Sequence, residues 1–324
     1  SLRRIKGRGF LTDIKTRAFG DQVTYKAKDH TVVGGFDWRQ DKVVNMGGIK
    51  LTNTSYFLQD EWKVAPKWTV TPGVRVDHHS AFGTHTSPSI SVGYDVNAKT
   101  NVYAAYKEYF LAPTPYQLFD GTYGNRNLKP ETGHEWSVGV HHKFGKTWNS
   151  NLSFFSRSTK DKIGWATNPA TGTVQYQNFD TEKAHGINAD VRKQLTKHLS
   201  ARLGYTYTHI DATPTRKANR DGYVPKHAVN AGLDYNDAKW DAHLDIRGVI
   251  DRPGPAANIF PRTTYWITDI SANYRVRENV TVFGRVNNLF DTYYAEQSNV
   301  RWGNAGDWWP GQGRNFRLGV EVTI

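Results

Sequence analysis

The sequence predicts an all-β protein, specifically a transmembrane antiparallel β-barrel, from three observations. Segments recur in which apolar and polar residues alternate: in the last one Phe316, Leu318 and Val320 share one face, and Arg317 and Glu321 share the other. Connections between the segments alternate between tiny turns and long polar loops. Aromatic residues make up 13% of the chain, which suits girdles at the two membrane interfaces.

The average composition does not argue against a membrane. The chain has 22% charged and 38% hydrophobic residues and a mean hydropathy of -0.66, values typical of soluble proteins. A barrel wall needs apolar residues only at alternate positions, over about 9 to 11 residues per strand. There is no cysteine, so disulfides and cysteine-based metal sites are excluded.

Fifteen strands are predicted. Their cores are 10–27, 31–41, 51–63, 67–79, 85–96, 100–109, 132–144, 147–158, 182–194, 198–210, 224–235, 239–251, 263–275, 279–290 and 314–324. The tenth alternates clearly, because Leu199, Leu203 and Tyr205 face one way while Arg202 and Thr206 face the other.

The connections sort by length. Short ones are predicted near 28–30, 64–66, 97–99, 145–146, 195–197, 236–238 and 276–278, and mostly long ones near 42–50, 80–84, 110–131, 159–181, 211–223, 252–262 and 291–313. Turn formers such as Pro66, Gly145 and Asp237 mark the short set. Outer-membrane barrels keep short periplasmic turns and long extracellular loops, so this sorting favours a barrel over a soluble sandwich.

Fifteen is an odd number, whereas bacterial single-chain barrels normally close with an even one. The last strand is expected to run inward to a periplasmic C-terminus. The missing strands are then expected before Ser1, and residues 1–324 are predicted to form the C-terminal portion of a larger barrel.

The net charge is +12, and we expect the basic residues to contact lipid head groups rather than nucleic acid. Many basic residues lie at or beside the short turns, where they would meet anionic head groups. These are Lys26, Lys28, Lys63, Lys67, Lys99, Lys143, Lys146, Arg192, Lys193, Lys197, Lys239, Arg275 and Arg277. No groove-reading motif accompanies the charge, so no nucleic-acid partner is expected.

Five stretches together resemble TonB-dependent outer-membrane receptors. They are Gln59-Asp60-Glu61-Trp62-Lys63 with 71–80; Tyr109-Phe110-Leu111-Ala112-Pro113 with 116–118; Gly124-Asn125-Arg126-Asn127-Leu128 with 129–132; Pro225-Lys226-His227; and Val286-Asn287-Asn288-Leu289-Phe290 with 291–294. Their order and spacing make the resemblance specific, and it covers nearly the whole chain.

The resemblance implies a bacterial outer-membrane location and a barrel of about 22 strands with a plugged lumen. In this family the plug is a separate N-terminal domain that contacts TonB. No plug sequence is found in these residues, so the plug is expected upstream or on a separate chain. The implied partners are outer-membrane lipids, the plug, TonB through the plug, and a small-molecule iron chelate.

The implied function is TonB-dependent transport of a ferric siderophore, with haem, cobalamin or a passive porin as alternatives. Such ligands are large, partly aromatic and often anionic, and loop aromatics and arginines suit them. The candidates are Tyr116, Phe119, Tyr123, Trp165, Tyr176, Arg216, Arg220, Arg252, Arg262, Arg301, Trp302, Trp308 and Trp309. For each the competing interpretation is a girdle aromatic or a solvated loop charge.

Six charged residues are predicted on the lumen face, where they would be structural or would contact the plug: Arg75, Asp77, Arg202, Arg285, Arg317 and Glu321. His78, His79 and His85 flank a tight loop, but adjacent histidines on a strand point to opposite faces. No metal site and no resident cofactor are predicted. No nucleophile elbow or zinc-protease motif is present in the sequence, so no enzyme activity is expected.

Overall fold

The computed structural model describes residues 13–44, 48–167, 172–211, 224–252, 264–298 and 308–323. Within these residues the chain is built from strands and one short helix. Among the described residues, no helix has the length and apolar character needed to cross a membrane.

The elements follow one another along the chain with short gaps between most of them. They are β1 (Ile14–Ala27), β2 (His30–Val43), β3 (Ile49–Ala65), β4 (Trp68–His79), β5 (Gly83–Asn97), β6 (Thr100–Leu111), α1 (Pro115–Phe119), β7 (Glu131–Phe144), β8 (Trp148–Thr167), β9 (Val174–Gln194), β10 (Leu199–Asp211), β11 (His227–Asn236), β12 (Trp240–Ile250), β13 (Tyr265–Arg277), β14 (Val280–Asn287), β15 (Ala295–Ser298), β16 (Trp308–Pro310) and β17 (Asn315–Val322).

Fifteen strands form one antiparallel sheet in which sequence neighbours pair, in the order β1 to β14 followed by β17. The predicted count of fifteen strands is therefore confirmed for the main sheet. Among the described residues, two further strands, β15 and β16, pair with each other and not with the main sheet. They lie inside the stretch 291–313, which the sequence predicted to be a loop.

The sheet has one apolar face and one polar face, which confirms the period-two interpretation. Large apolar side chains stand exposed on the apolar face, among them Tyr56, Leu58, Leu203, Phe316 and Leu318. The alternate positions carry most of the charged and polar groups, together with a few aromatic rings such as Phe57 and Phe283, which lie over glycines of a neighbouring strand. Pairing places Arg285 opposite Arg317 and Thr281 opposite Glu321, so the predicted charged set shares the polar face.

The end of the sheet that carries the short turns also carries aromatic pairs. Trp68 and Tyr94 have ring centroids 4.6 Å apart, and Trp240 and Tyr274 are 4.7 Å apart. The Lys193 ammonium lies 4.3 Å from the centroid of the Trp148 ring. Aromatic and basic groups at one level of the apolar face are typical of a membrane interface.

Two predicted connections differ from the structure. Residues 159–181 were predicted to form a loop, but β8 and β9 pair as far as Thr167 and Val174. Asp161 adopts φ of 53° and interrupts the pairing of β8 with β9, but the two strands continue to pair beyond it. In a sequence, aspartate is a turn former. The connection after β4 was predicted at 80–84 among the mostly long set, yet it spans only 80–82.

Asn288 fixes the turn that follows β14. Its φ is 51°, its Oδ1 accepts the Thr292 backbone N–H at 2.8 Å, and its Nδ2 donates to the carbonyl oxygens of Thr292 and Gln312 at 2.9 and 3.1 Å. Asparagine tolerates the left-handed conformation better than other residues with a Cβ. This side chain therefore ties the approach to β15 to the approach to β17.

Candidate functional site

Residues 112–130, here called the arch, connect β6 to β7 at the long-loop end of the sheet. Its helix α1 begins with a capping box: the Gln117 backbone N–H donates to Thr114 Oγ1 at 3.2 Å, and the Thr114 N–H donates to Gln117 Oε1 at 2.8 Å. Pro115 suits the first helical position, because its missing N–H would have no partner there. The sequence Thr114-Pro115-Tyr116-Gln117 carries this capping-box signal, although the stretch 110–131 was predicted to be a loop.

After the helix, Asp120 folds the arch back toward the sheet. Its Oδ2 accepts the backbone N–H groups of Thr122 at 3.1 Å and Tyr123 at 2.9 Å. The Asn125 backbone N–H then donates to the Gln117 carbonyl oxygen at 2.8 Å. These local bonds give the arch a defined shape.

The arch is joined to β9 by hydrogen bonds. The Tyr176 backbone N–H donates to the Tyr123 carbonyl oxygen at 2.9 Å, and Asn125 Nδ2 donates to the Tyr176 carbonyl oxygen at 2.9 Å. Asn178 Oδ1 accepts the Lys129 N–H at 2.8 Å, and its Nδ2 donates to the Lys129 carbonyl oxygen at 2.9 Å. The arch and the β8–β9 hairpin therefore form one unit.

An apolar cluster lies beneath this unit. Its buried members are Leu51, Leu118, Leu128 and Ile163, and Phe82, Phe119 and Tyr176 pack against them. Leu118 and Leu128 are only 4% and 3% exposed. Burial of these side chains, at roughly 1.5 to 3 kcal/mol each, stabilises the arch against the sheet.

Glu131, at the start of β7, connects the arch to β8. The residue is 5% exposed. Its Oε1 accepts the Ile163 backbone N–H at 2.9 Å, and its Oε2 accepts Lys162 Nζ at 2.8 Å. A buried carboxylate needs such partners, so Glu131 holds the extended part of the hairpin.

The arch presents an aromatic and cationic group toward the outside. Arg126 is exposed, and its guanidinium lies 5.4 Å from the centroid of the half-buried Phe119 ring. Tyr116 meets Tyr176 edge-on, with centroids 6.1 Å apart. Arg126 was not among the sequence candidates, although its position in the Gly124–Leu128 stretch provided a signal.

Four of the candidate residues predicted from the sequence lie together at the arch, but for two of them, Tyr123 and Tyr176, the surroundings differ from the prediction. Tyr116, Phe119, Tyr123 and Tyr176 are brought together, but Tyr123 is buried and forms part of the support. The prediction that Trp165 and Tyr176 lie in a loop is wrong, because they pair with each other on β8 and β9. Strand pairing continues past the irregularity at Asp161, and this places them in the wall.

Arg252 lies in a second cluster, at the end of β12. It is 3% exposed, donates to the carbonyl oxygen of Ala295, and stands 5.5 Å from the centroid of the Tyr265 ring. Tyr265 and Tyr294 are 5.0 Å apart. Arg252 therefore attaches β15 to the main sheet rather than facing solvent.

The remaining candidates are divided between a short strand and undescribed segments. Trp308 and Trp309 lie on β16, paired with Ser298 and Gln297. Arg216, Arg220, Arg262, Arg301 and Trp302 lie outside the described residues.

The three histidines near the β4–β5 turn have structural partners. The Ala81 backbone N–H donates to His79 Nδ1 at 3.1 Å, His78 Nδ1 lies 2.9 Å from Thr84 Oγ1, and the His85 ring stacks on Phe110 at 4.0 Å. Across the part of the chain that the structure describes, no group of three or more metal-binding side chains is found.

Two charged networks lie on the polar face. In the first, Arg75 donates to Asp37 at 2.9 Å and to Asp77 at 3.2 Å, and Asp77 also accepts the Ser55 hydroxyl at 2.5 Å. This network borders a cavity of about 620 Å³ that reaches from β2 to Pro115.

In the second network, Arg202 crosses over Gly232 to reach Asp245 on β12, and it also pairs with Asp234 at 3.4 Å. A Cβ on Gly232 would lie 2.4 Å from Arg202 Cζ, so glycine leaves room for this crossing, and a side chain there would make the flexible guanidinium shift. His243 bridges Asp234 and Asp241 at 2.8 and 2.9 Å.

The architecture matches a known family. A family model described as "TonB dependent receptor-like, beta-barrel" matches residues 5–289. The chain is 28% identical over 317 residues to the iron-regulated outer membrane virulence protein of Vibrio cholerae serotype O1, covering 89% of this chain and 47% of that protein. It is 26% identical over 284 residues to the vitamin B12 transporter BtuB of Photobacterium profundum, covering 81% and 43%.

A solved structure shows the same fold. The siderophore receptor PirA from Pseudomonas aeruginosa superposes with a TM-score of 0.69 at 21% identity, covering 95% of this chain and 55% of that chain. The chain therefore spans about half the length of the proteins that it matches.

Proposed function

Because the chain belongs to the family of TonB-dependent receptor β-barrels, we propose that it forms barrel wall and extracellular loops of a receptor that imports a ferric siderophore. The family resides in the bacterial outer membrane, which agrees with the two-faced strands and the aromatic rows of this sheet. The short turns then face the periplasm and the arch faces the outside.

The observation that carries the proposal is the arch with its Arg126 and Phe119 pair. A ferric siderophore complex is bulky and often anionic and aromatic. A guanidinium supported by a ring supplies charge-assisted hydrogen bonds together with a stacking surface. The rigid attachment of the arch to β9 lowers the entropy lost when such a ligand binds.

The names of the relatives support an iron chelate as the ligand. The V. cholerae relative is called iron-regulated, and a ferric enterobactin receptor, PirA of Pseudomonas aeruginosa, is 25% identical over 279 residues. BtuB supports cobalamin as the second candidate. Between Pro113 and Asn125, where haem receptors of this family carry a histidine, this chain has none.

We also propose that the polar face contacts a plug domain and that TonB acts through that plug. Arg75, Asp77, Arg202, Arg285, Arg317 and Glu321 all lie on this face. Networks such as the one joining Arg202 to Asp245 leave further donors and acceptors for a polar partner.

A ligand panel tests the proposed function. The full-length protein in detergent would be titrated with ferric catecholate and hydroxamate siderophores, haem and cobalamin, with tryptophan fluorescence as the readout. We expect one ferric siderophore to bind more tightly than haem and cobalamin. Preferred binding of cobalamin or haem would contradict the siderophore assignment, and constitutive ion conductance without ligand binding would indicate a passive porin.

A further inference from the structure

Four cations cluster on the apolar face at the long-loop ends of the first three strands. They are Lys15 and Arg17 on β1, Lys42 on β2 and Lys50 on β3, here called the cationic patch. Lys15 pairs with Lys42, and Lys42 pairs with Lys50. All four side chains are exposed, so three lysine positions lie side by side across adjacent strands.

The cationic patch lies directly beside apolar and aromatic surface. Phe19, two positions beyond Arg17 on the same face, is 64% exposed. Its ring is 5.6 Å from Phe36, which is 6.5 Å from Tyr56. Tyrosine is enriched where the hydrocarbon core gives way to head groups, so Tyr56 in this row, together with the position of the cations near the strand ends, suits head-group depth for the cationic patch.

The arrangement is unfavourable without an anionic partner. Like charges directly opposite on neighbouring strands are destabilising. None of the four cations forms an ion pair with a carboxylate among the residues that the structure describes, whereas Arg39, Arg75, Lys107 and Lys162 on the other face or at the rim all do. The aspartate nearest to the aromatic row on β1, Asp21, accepts the Gln22 backbone N–H instead.

We propose that the cationic patch binds the phosphate groups of a lipid head group in the outer leaflet. Phosphate supplies the charge that the lysines lack, and Arg17 can bind it with two parallel hydrogen bonds. The adjoining Phe19, Phe36 and Tyr56 would contact acyl chains. That contact favours a lipid over free phosphate, and the position of the patch on the membrane-facing side favours it over a soluble protein.

The test uses the full-length protein in a neutral detergent, titrated with diphosphorylated lipid A, with native mass spectrometry as the readout. The variant carries Lys15→Gln, Lys42→Gln and Lys50→Gln. We expect its affinity to fall about a hundredfold, since each lysine near an anionic membrane surface contributes roughly a factor of five. Arginine at the same three positions should preserve binding.

The control variant carries Lys99→Gln, Lys146→Gln and Lys239→Gln, three exposed lysines in short turns. It removes the same charge from the opposite end of the sheet, where the three lysines lie on separate turns and can contact head groups only singly, and we expect lipid A affinity to fall at most a few-fold. Equal losses in both variants, or unchanged affinity in the first, would overturn the proposal. So would equal binding of dephosphorylated lipid A, or displacement of lipid A by an equal concentration of inorganic phosphate.

Discussion

Tyr176 donates its backbone N–H to the carbonyl oxygen of Tyr123 at 2.9 Å, and this bond joins the arch to strand β9. The neighbouring bond from Asn125 Nδ2 to the Tyr176 carbonyl oxygen repeats the connection from the other direction. A loop that would otherwise extend freely from the rim is therefore fixed to the wall. The proposed ligand contacts depend on this attachment.

Substitution Asn125→Ala should loosen the arch. It removes the donor to Tyr176 and the Oδ1 acceptor of the Asn127 backbone N–H, which costs about 1 to 3 kcal/mol of local stability. We expect faster amide hydrogen exchange in residues 115–128 and weaker siderophore binding. Asn127→Ala, which removes an exposed side chain two residues away, is the control, and equal exchange rates in the two variants would contradict the role of Asn125.

Substitution Arg126→Ala should weaken siderophore binding about tenfold, because the guanidinium is expected to form a charge-assisted hydrogen bond with the ligand. The fold should be unaffected, since Arg126 is exposed and its guanidinium lies over the face of the Phe119 ring. Lys129→Ala removes an equal charge three residues away on the same arch. Fluorescence titration of both variants measures their siderophore affinity. An equal loss of affinity in the two variants would show that net charge, and not a specific contact of Arg126, is responsible.

Substitution Glu131→Ala should free the extended part of the β8–β9 hairpin. Lys162 loses its partner and the buried Ile163 N–H loses its acceptor, and leaving such a buried donor without an acceptor costs about 1 to 3 kcal/mol. Limited proteolysis should then cut between 163 and 177. The control is Glu135→Ala on the same strand, whose pair with the exposed Lys107 is worth at most about 1 kcal/mol; cleavage of both variants at the same rate would be inconsistent with this account.

The stability of the turn between β11 and β12 should depend on pH through the carboxyl group of Asp237. The Tyr235 hydroxyl donates to its Oδ2 at 2.6 Å, and the Trp240 and Lys239 N–H groups donate to its Oδ1 at 2.7 and 2.8 Å. These bonds lower the pKa of Asp237 from 3.8 to about 2.

Because the folded pKa is lowered, the carboxylate contributes its full stability above pH 3.8 and loses it as the pH falls through about 2. The carboxyl carbon of Asp237, followed by NMR, should therefore titrate near pH 2. A midpoint near the ordinary value would show that these bonds do not persist in solution.

The strands of the sheet could be predicted from the sequence more accurately than the connections at its long-loop end. Residues such as Leu203 and Arg202 alternate at the period that a membrane wall imposes, so the fifteen strands and their faces could be predicted from the chain alone. The extension of β8 and β9 could not be predicted. In the sequence Asp161 is a turn former, but in the structure it adopts the left-handed conformation within the strand, and cross-strand pairing continues beyond it.

The site was only partly predictable for a related reason. The sequence does not show whether an aromatic residue in a loop faces a ligand or packs against the sheet. In the arch, packing around Leu118 and Leu128 determines which side chains are buried. Tyr123 and Arg252 were predicted to contact ligand but are buried supports. Arg126, which the structure places over Phe119, had no periodic pattern to identify it.

Uptake of the radioactive ferric siderophore preferred in the ligand panel, measured in cells that produce the full-length protein with and without TonB, tests the central claim most directly. We expect uptake that saturates at low ligand concentration, requires TonB and is lost in cells that lack the protein. Equal uptake in the presence and absence of TonB would contradict TonB-dependent import and would indicate a passive channel instead.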